Sequence, residues 1–126
     1  QQDIIQYMMK VKAPYNINKL TAQKAIKGLE NWETVSFKIN AIKKERRQLA
    51  DKLNQLDAVQ NIYPSEANFL LVKIDEARSL YEQLTQRDII VRYRGNEPHC
   101  DSCLRITVGT PDENERLISA LQDLTS

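Results

Sequence analysis

The apolar residues of this chain change their spacing near residue 57, and that change limits the folds the chain can adopt. Before it, apolar positions recur at alternating four- and three-residue steps: Val35, Ile39, Ile42, Leu49, Leu53 and Leu56. Such spacing keeps one apolar stripe on one face of an α-helix. The pattern predicts a helix from about Trp32 to Leu56, roughly six or seven turns long, which is a length that suits a connection between two domains.

After residue 57 the pattern alternates between strands and helices. Apolar or alternating runs predict strands at 59–63, 67–74, 89–92 and 103–108. Asp75 is a candidate N-cap for a helix after the second strand, and Thr110 is a candidate N-cap for a last helix that Pro111 opens. The order helix, two strands, helix, two strands, helix predicts an α+β fold: a two-layer small domain with a small, mostly antiparallel sheet covered by helices.

The first twenty residues do not fit this layout. The apolar run from Ile4 to Met9 has no partner segment upstream of it, and Pro14 lacks an amide donor and favours extended backbone before it. We therefore expect residues 1–20 to be a crossing segment from a large domain that precedes this chain. Residues 21–126 are then expected to form the small domain.

A short helix is predicted to follow the crossing segment. Asn18 or Thr21 can accept a hydrogen bond from a free amide of its first turn. The helix is expected to run through Ile26 and to end at Gly28, because glycine commonly ends helices.

Charge and cysteine content exclude several classes of function. The net charge is +1, whereas partners such as nucleic acids and membrane surfaces favour a strong basic excess. No apolar run approaches the ~20 residues that span a bilayer, and the two cysteines are too few for a disulfide scaffold. The composition predicts a cytoplasmic protein that binds neither nucleic acid nor membranes.

Two arginines lie in apolar strands, where a guanidinium is costly unless it meets an anion. Alternation along strand 103–108 places Arg105 on the face opposite Leu104 and Ile106, while Arg92 ends the preceding strand. The fork of an arginine suits bidentate binding of a carboxylate or a phosphate. The same pattern fits an arginine that pairs with an internal acid or emerges at a sheet edge, and these residues alone leave both interpretations open.

The other polar motifs give no convincing catalytic apparatus. Cys100 and Cys103 form a Cys-x-x-Cys beside His99, the only histidine. A structural zinc site usually needs four ligands, and a redox motif would open a helix after a strand, whereas this one precedes a strand. No metal, redox or nucleophilic role is predicted. Asn68, at the start of a strand, could contact a ligand, although a strand asparagine most often ends a ladder or lies at a sheet edge.

Several segments match, in order, the motifs of one enzyme family. Residues 64–69 read Pro-Ser-Glu-Ala-Asn-Phe, similar to a Ser-x-x-Asn-(Phe/Tyr) strand, and 89–92 resemble a Gly-Ile-x-(Val/Leu)-Arg element with Asp88 at the glycine. Within residues 103–110, the seven from Leu104 to Thr110 match Leu-Arg-Ile-(Ser/Thr)-(Val/Ile)-Gly-Thr, and Glu113-Asn114 follows at the last helix. Together with residues 3–18, these segments resemble the C-terminal small domain of the histidinol-phosphate aminotransferases, a branch of the fold-type I aminotransferases.

The resemblance implies a function. The family uses pyridoxal phosphate to move an amino group between glutamate and imidazole-acetol phosphate in histidine biosynthesis. By resemblance, Arg105 grips the carboxylate or phosphate of the substrate, and Arg92 is a second cationic contact for the same anionic end. Tyr15 and Asn16 are implied to line the approach at the domain junction.

The resemblance also implies what this chain does not carry. In the family, the lysine that forms the Schiff base and the aspartate that pairs the pyridine nitrogen lie upstream. We therefore expect the chain to be inactive alone and to act within a homodimeric enzyme on histidinol phosphate and glutamate or 2-oxoglutarate. The alternatives are the small domain of another class I or II aminotransferase, that of a related decarboxylase, and a non-catalytic binding module of the same fold.

Overall fold

The computed structural model describes residues 2–11 and 17–125, and within them it contains five helices and four strands. The helices are α1 Gln2–Val11, α2 Lys19–Glu30, α3 Trp32–Leu53, α4 Ala77–Gln86 and α5 Pro111–Thr125. The strands are β1 Val59–Tyr63, β2 Phe69–Ile74, β3 Arg92–Tyr93 and β4 Cys103–Thr107. The chain divides into two compact units, residues 1–37 and 38–126.

The first unit contains α1, α2 and the beginning of α3. Asn18 caps α2, as predicted, because its side-chain oxygen accepts a hydrogen bond from the Thr21 amide at 2.9 Å. The prediction that Gly28 ends this helix is wrong. The helix continues to Glu30, where the amide of Asn31 closes the last turn on the Lys27 carbonyl at 3.2 Å.

α3 ends at Leu53, three residues before the predicted end. Residues 54–58 turn the chain towards β1: the Leu56 amide donates to the Leu53 carbonyl at 3.1 Å, and the Val59 amide donates to the Leu56 carbonyl at 3.0 Å. Leu49, Leu53 and Leu56 are nevertheless all buried. The C-terminal half of the predicted apolar stripe therefore reaches the core, whereas Ile39 and Ile42 in its first half are 37% and 38% exposed.

The second unit contains a four-stranded sheet in the order β1-β2-β4-β3, and each neighbouring pair is antiparallel. The strands β2 and β4 are central. Alternate residues of these two strands are buried in one apolar core with side chains of α3, α4 and α5; the strand residues are Leu70, Val72, Ile74, Leu104 and Ile106. This arrangement confirms the predicted α+β fold with helices packed on a small antiparallel sheet.

β3 is shorter than predicted and begins only at Arg92. Asp88 lies in the left-handed region with φ 58°, and the Ile89 amide donates to the Leu84 carbonyl at 2.9 Å. These residues therefore close the end of α4 instead of extending the sheet. Left-handed backbone favours glycine, and aspartate is one of the residues that tolerate it, which explains why Asp88 can stand where the resembled family usually has glycine.

α4 and α5 begin differently. The prediction that Asp75 caps α4 is wrong: the cap position is Glu76, with φ 49°, and its side chain makes no capping hydrogen bond to the described residues. Asp75 instead accepts a hydrogen bond from the side chain of Gln60. Thr110 caps α5 as predicted, in a capping box with Glu113: the Glu113 amide donates to the Thr110 hydroxyl at 3.4 Å, and the Thr110 amide donates to the Glu113 carboxylate at 2.8 Å.

Candidate anion-binding site

Arg105 lies in the middle of β4, and the sheet places Arg92 directly opposite it. The Cα register pairs Arg92 of β3 with Arg105, and it pairs Arg105 with Leu71 of β2 on the other side. Residues directly opposite each other in an antiparallel pair share a face, with Cβ atoms about 4.5–5.5 Å apart. Both arginine side chains therefore leave the sheet on the same side.

That side is the one facing away from the apolar core of the second unit. Leu104 and Ile106, the neighbours of Arg105 along β4, are 0% and 1% exposed. Arg105 itself is half-buried, and Arg92 is exposed. This is the alternation expected for a strand with one face in the core, and it places Arg92 and Arg105 on the other face.

Arg92 and Arg105 differ from the other arginines in having no anionic or carbonyl partner within the described part of the chain. Each of the other six forms an ion pair or donates a hydrogen bond to a carbonyl or carboxylate oxygen; these are Arg46, Arg47, Arg78, Arg87, Arg94 and Arg116. The interpretation of Arg105 as half of an internal ion pair therefore does not hold for the residues described. The two unpaired arginines are the two that the sheet brings together.

The guanidinium of Arg105 rests on an aromatic ring. Its central carbon lies 5.3 Å from the centroid of the Phe69 ring, a separation typical of a cation–π contact. The Nε atom of Arg105 is buried without a hydrogen-bond partner among the described residues. A buried polar group normally has a partner, so this donor is an exception among the described residues. The sequence predicted no contact between Phe69 and Arg105, although each of these residues lies in a motif that the chain shares with the resembled family.

The remaining candidate polar residues fall into two groups. Tyr15 and Asn16 lie outside the described residues, so their predicted role stays a prediction. Asn68 is exposed immediately before β2, and its carbonyl accepts a hydrogen bond from the Val108 amide at 2.9 Å. This bond extends the ladder between β2 and β4 by one step, in agreement with the interpretation of Asn68 as a ladder end.

Cys100 and Cys103 are both free thiols. Cys103 is fully buried at the start of β4, and this burial, together with the nearby Cys100, raises the pKa of its thiol. A raised pKa disfavours the thiolate that metal binding and nucleophilic attack require. No group of three metal-ligating side chains comes together in residues 2–11 and 17–125.

Asn114 is a buried polar residue, and the sequence predicted no contact for it beyond its place in the motif at the last helix. It is 6% exposed. Its side chain accepts from the Gly109 amide at 3.0 Å and donates to the Gly109 carbonyl and the Glu45 carboxylate, each at 3.2 Å. These bonds fix the turn after β4 and tie it to α3. Glu45 is 69 residues away along the chain, so no local spacing indicates this network.

The second unit also contains clefts on its surface. One cleft, of about 350 Å³, lies among Ile90, Thr107 and Asn114, and another, of about 560 Å³, lies among Arg47 and Tyr63. Neither of these clefts is lined by Arg92 or Arg105.

No helix in the described ranges is both long and apolar enough to cross a membrane.

Comparison with known proteins matches this chain to one family. Residues 1–121 match the family of class I and II aminotransferases. The histidinol-phosphate aminotransferase of Flavobacterium psychrophilum is 44% identical over 121 residues, which is 96% of this chain and 35% of that protein. The protein of the same name from Christiangramia forsetii is 42% identical over 122 residues, which is 97% of this chain and 35% of that protein. This chain therefore spans about a third of the length of these curated relatives.

A solved structure of an aminotransferase is also similar to this chain. The crystal structure of the histidinol-phosphate aminotransferase from Clostridium acetobutylicum superimposes with a TM-score of 0.78 at 25% sequence identity. The match covers 98% of this chain and 38% of that one.

Proposed function

The chain belongs to the class I and II aminotransferase family, and on that premise we propose that it is the C-terminal small domain of a histidinol-phosphate aminotransferase. Its proposed task is to hold the anionic end of the substrate with Arg92 and Arg105. The names of the relatives that are 42–44% identical to it support the choice of substrate. The proposed domain begins near residue 21, after a segment that crosses from the large domain.

The observation that carries this proposal is the unpaired, opposed arrangement of Arg92 and Arg105. Like charges on directly opposite residues of a sheet are unfavourable, and neither Arg92 nor Arg105 forms an ion pair with a carboxylate among the described residues. An anion that lies between them removes the repulsion and gains charge-assisted hydrogen bonds, which are roughly twice as strong as neutral ones. A phosphate can accept hydrogen bonds from two forks at once, and a carboxylate can accept from one.

The residues of this chain fit the substrate's anion and do not by themselves fit the cofactor. Lys73 lies on β2 opposite Cys103, on the face that carries Arg105, but it stands between Val72 and Ile74 and lacks the preceding serine of the family's Schiff-base lysine. We propose that pyridoxal phosphate is held by the large domain and supplies the amino-group transfer there. In this chain, the arginines bind and orient the substrate, and the complete enzyme acts as a cytoplasmic homodimer.

The test uses the complete protein, supplied with pyridoxal phosphate and 2-oxoglutarate. Histidinol phosphate competes with phenylalanine and aspartate as the amino donor, and the formation of each keto product is measured. Preference for histidinol phosphate supports the proposal, and histidinol, which lacks the phosphate, should be a much poorer donor. Preference for phenylalanine or aspartate would assign the chain to another aminotransferase, and loss of carbon dioxide from an amino acid would assign it to a decarboxylase.

A further inference from the structure

Within the described residues, Arg105 has no carboxylate partner and its buried Nε has no acceptor. We infer that Phe69 is the positioning residue for Arg105. The ring of Phe69 takes the place that an acidic side chain usually has beside a partly buried arginine. This inference rests on the proposed function and adds a residue to the same anion site.

The sheet register explains why Phe69 can reach Arg105. Phe69 pairs with Thr107 and Leu71 pairs with Arg105 across β2 and β4, so Phe69 is the diagonal neighbour of Arg105 on the same face. Diagonal neighbours are about 7–8 Å apart, a distance that aromatic and long side chains span. The half-buried ring and the guanidinium meet with 5.3 Å between the ring centroid and the central carbon.

An aromatic ring positions a guanidinium without neutralising it. A carboxylate would occupy the N–H fork and cancel the charge, so the arginine would have little left to offer a phosphate. A ring instead attracts the flat face of the guanidinium and leaves its in-plane donors free. Arg78 shows the other arrangement: it lies 5.3 Å from the ring centroid of Tyr93, but it also pairs with Glu82 at 2.7 Å. Only Arg105 has the ring and no acid among the residues described.

The experiment compares replacements of Phe69 with one control variant, each in the complete protein. Phe69→Leu removes the ring and keeps an apolar side chain, and Phe69→Met serves the same purpose if the leucine variant does not fold. Phe69→Tyr restores a ring. Tyr93→Leu is the matched control, because the Tyr93 ring lies at the same distance from another arginine, Arg78. Tyr93 pairs with Leu104 and so lies on the core-facing side of the sheet, away from Arg105.

The readouts are the KM for histidinol phosphate, the inhibition constant of inorganic phosphate, and kcat. Phe69→Leu should raise the KM and the inhibition constant of phosphate by about 3- to 10-fold, the range that a cation–π contact supports. It should change kcat by less than about 2-fold. Phe69→Tyr should restore both constants. Tyr93→Leu should leave them unchanged even if it lowers the melting temperature. Unchanged constants in Phe69→Leu, or an equal rise in Tyr93→Leu, would overturn the inference.

Arg105→Ala separates this inference from the proposed function. If Arg105→Ala weakens phosphate inhibition and Phe69→Leu does not, Phe69 is not a positioning residue and the proposed function stands. If Arg105→Ala leaves phosphate inhibition unchanged, both fail. In the Arg105→Ala background, Phe69→Leu should cause no further loss; an undiminished loss would show that Phe69 acts independently of Arg105, which would also overturn the inference.

Discussion

Replacing Arg105 and Arg92 one at a time should weaken substrate binding to different extents, because their surroundings differ. Arg105 is half-buried against Phe69, whereas Arg92 is exposed at the short strand β3. We compare Arg105→Gln with Arg92→Gln in the complete protein, since glutamine keeps a polar side chain and removes the charge. Arg94→Gln is the matched control, because Arg94 already pairs with Glu97 at 3.7 Å.

The expected sizes follow from burial. A hydrogen bond to a charged group contributes about 1.5–3 kcal/mol, so Arg105→Gln should weaken binding of the phosphorylated substrate by roughly 10- to 150-fold. An exposed charge pair about 4 Å apart contributes about 1 kcal/mol in water and less in salt. Arg92→Gln should therefore weaken binding of the phosphorylated substrate by about 5-fold or less. Arg94→Gln should change binding by less than about 2-fold, as for most exposed ion pairs.

The assay is steady-state kinetics with histidinol phosphate, together with the inhibition constant of inorganic phosphate at low and high salt. Both arginine variants should raise KM with little change in kcat, because the anion is held equally in the ground state and the transition state. The effect of Arg92→Gln should shrink as salt rises from about 0.05 to about 0.5 M, and that of Arg105→Gln should shrink less. Equal effects of all three substitutions, or none, would refute the reasoning.

Three further predictions concern the framework of the site. Leu104 is 0% exposed, so Leu104→Ala should lower the free energy of unfolding by about 2–5 kcal/mol in urea denaturation. Ile90 is 70% exposed, so Ile90→Ala should change this free energy by less than about 0.5 kcal/mol. Similar losses in the two variants would contradict the assigned core. Asn114→Ala should lower the free energy of unfolding by about 1–3 kcal/mol in the same measurement, because it leaves the Gly109 amide and carbonyl without their partner. An unchanged unfolding midpoint would argue against the hydrogen-bond network around Asn114. Hydrogen bonds from the Thr110 amide and hydroxyl lower the pKa of Glu113, so its contribution to stability is present above the unfolded pKa of about 4.3 and is lost as pH falls through the lower folded pKa. The difference in melting temperature between the protein and its Glu113→Gln variant should therefore narrow below about pH 4, and a difference that stays constant down to pH 2 would contradict this.

The sequence predicted the core and the order of elements well, because both depend on short-range periodicity. Leu49, Leu53 and Leu56 of the helical stripe and the alternate residues around Leu104 reached the core as expected, whereas Ile39 and Ile42 of the same stripe are 37% and 38% exposed. Element ends were predicted less well, because they depend on contacts between distant residues. The carboxylate of Asp75 bonds to Gln60 of β1 and does not cap α4, and no pattern within the helix itself indicates this.

The candidate site was predicted only in part, for a similar reason. Alternation put Arg105 on the face opposite Leu104, but the sequence could not show that Arg92 lies directly opposite Arg105, because register depends on how β3 and β4 pair. Nor could it show that neither arginine has an acid beside it among the described residues, since acids are frequent throughout the chain. The role of Phe69 required both the register of β2 with β4 and the position of the guanidinium.

The most direct test of the central claim is a crystal structure of the complete protein with histidinol phosphate bound. We predict that the phosphate lies between Arg92 and Arg105, with its oxygens about 2.7–3.2 Å from guanidinium nitrogens of both, and that Phe69 still lies under Arg105. A phosphate bound elsewhere, or an acidic side chain from the rest of the protein paired with Arg105 in its place, would contradict the account.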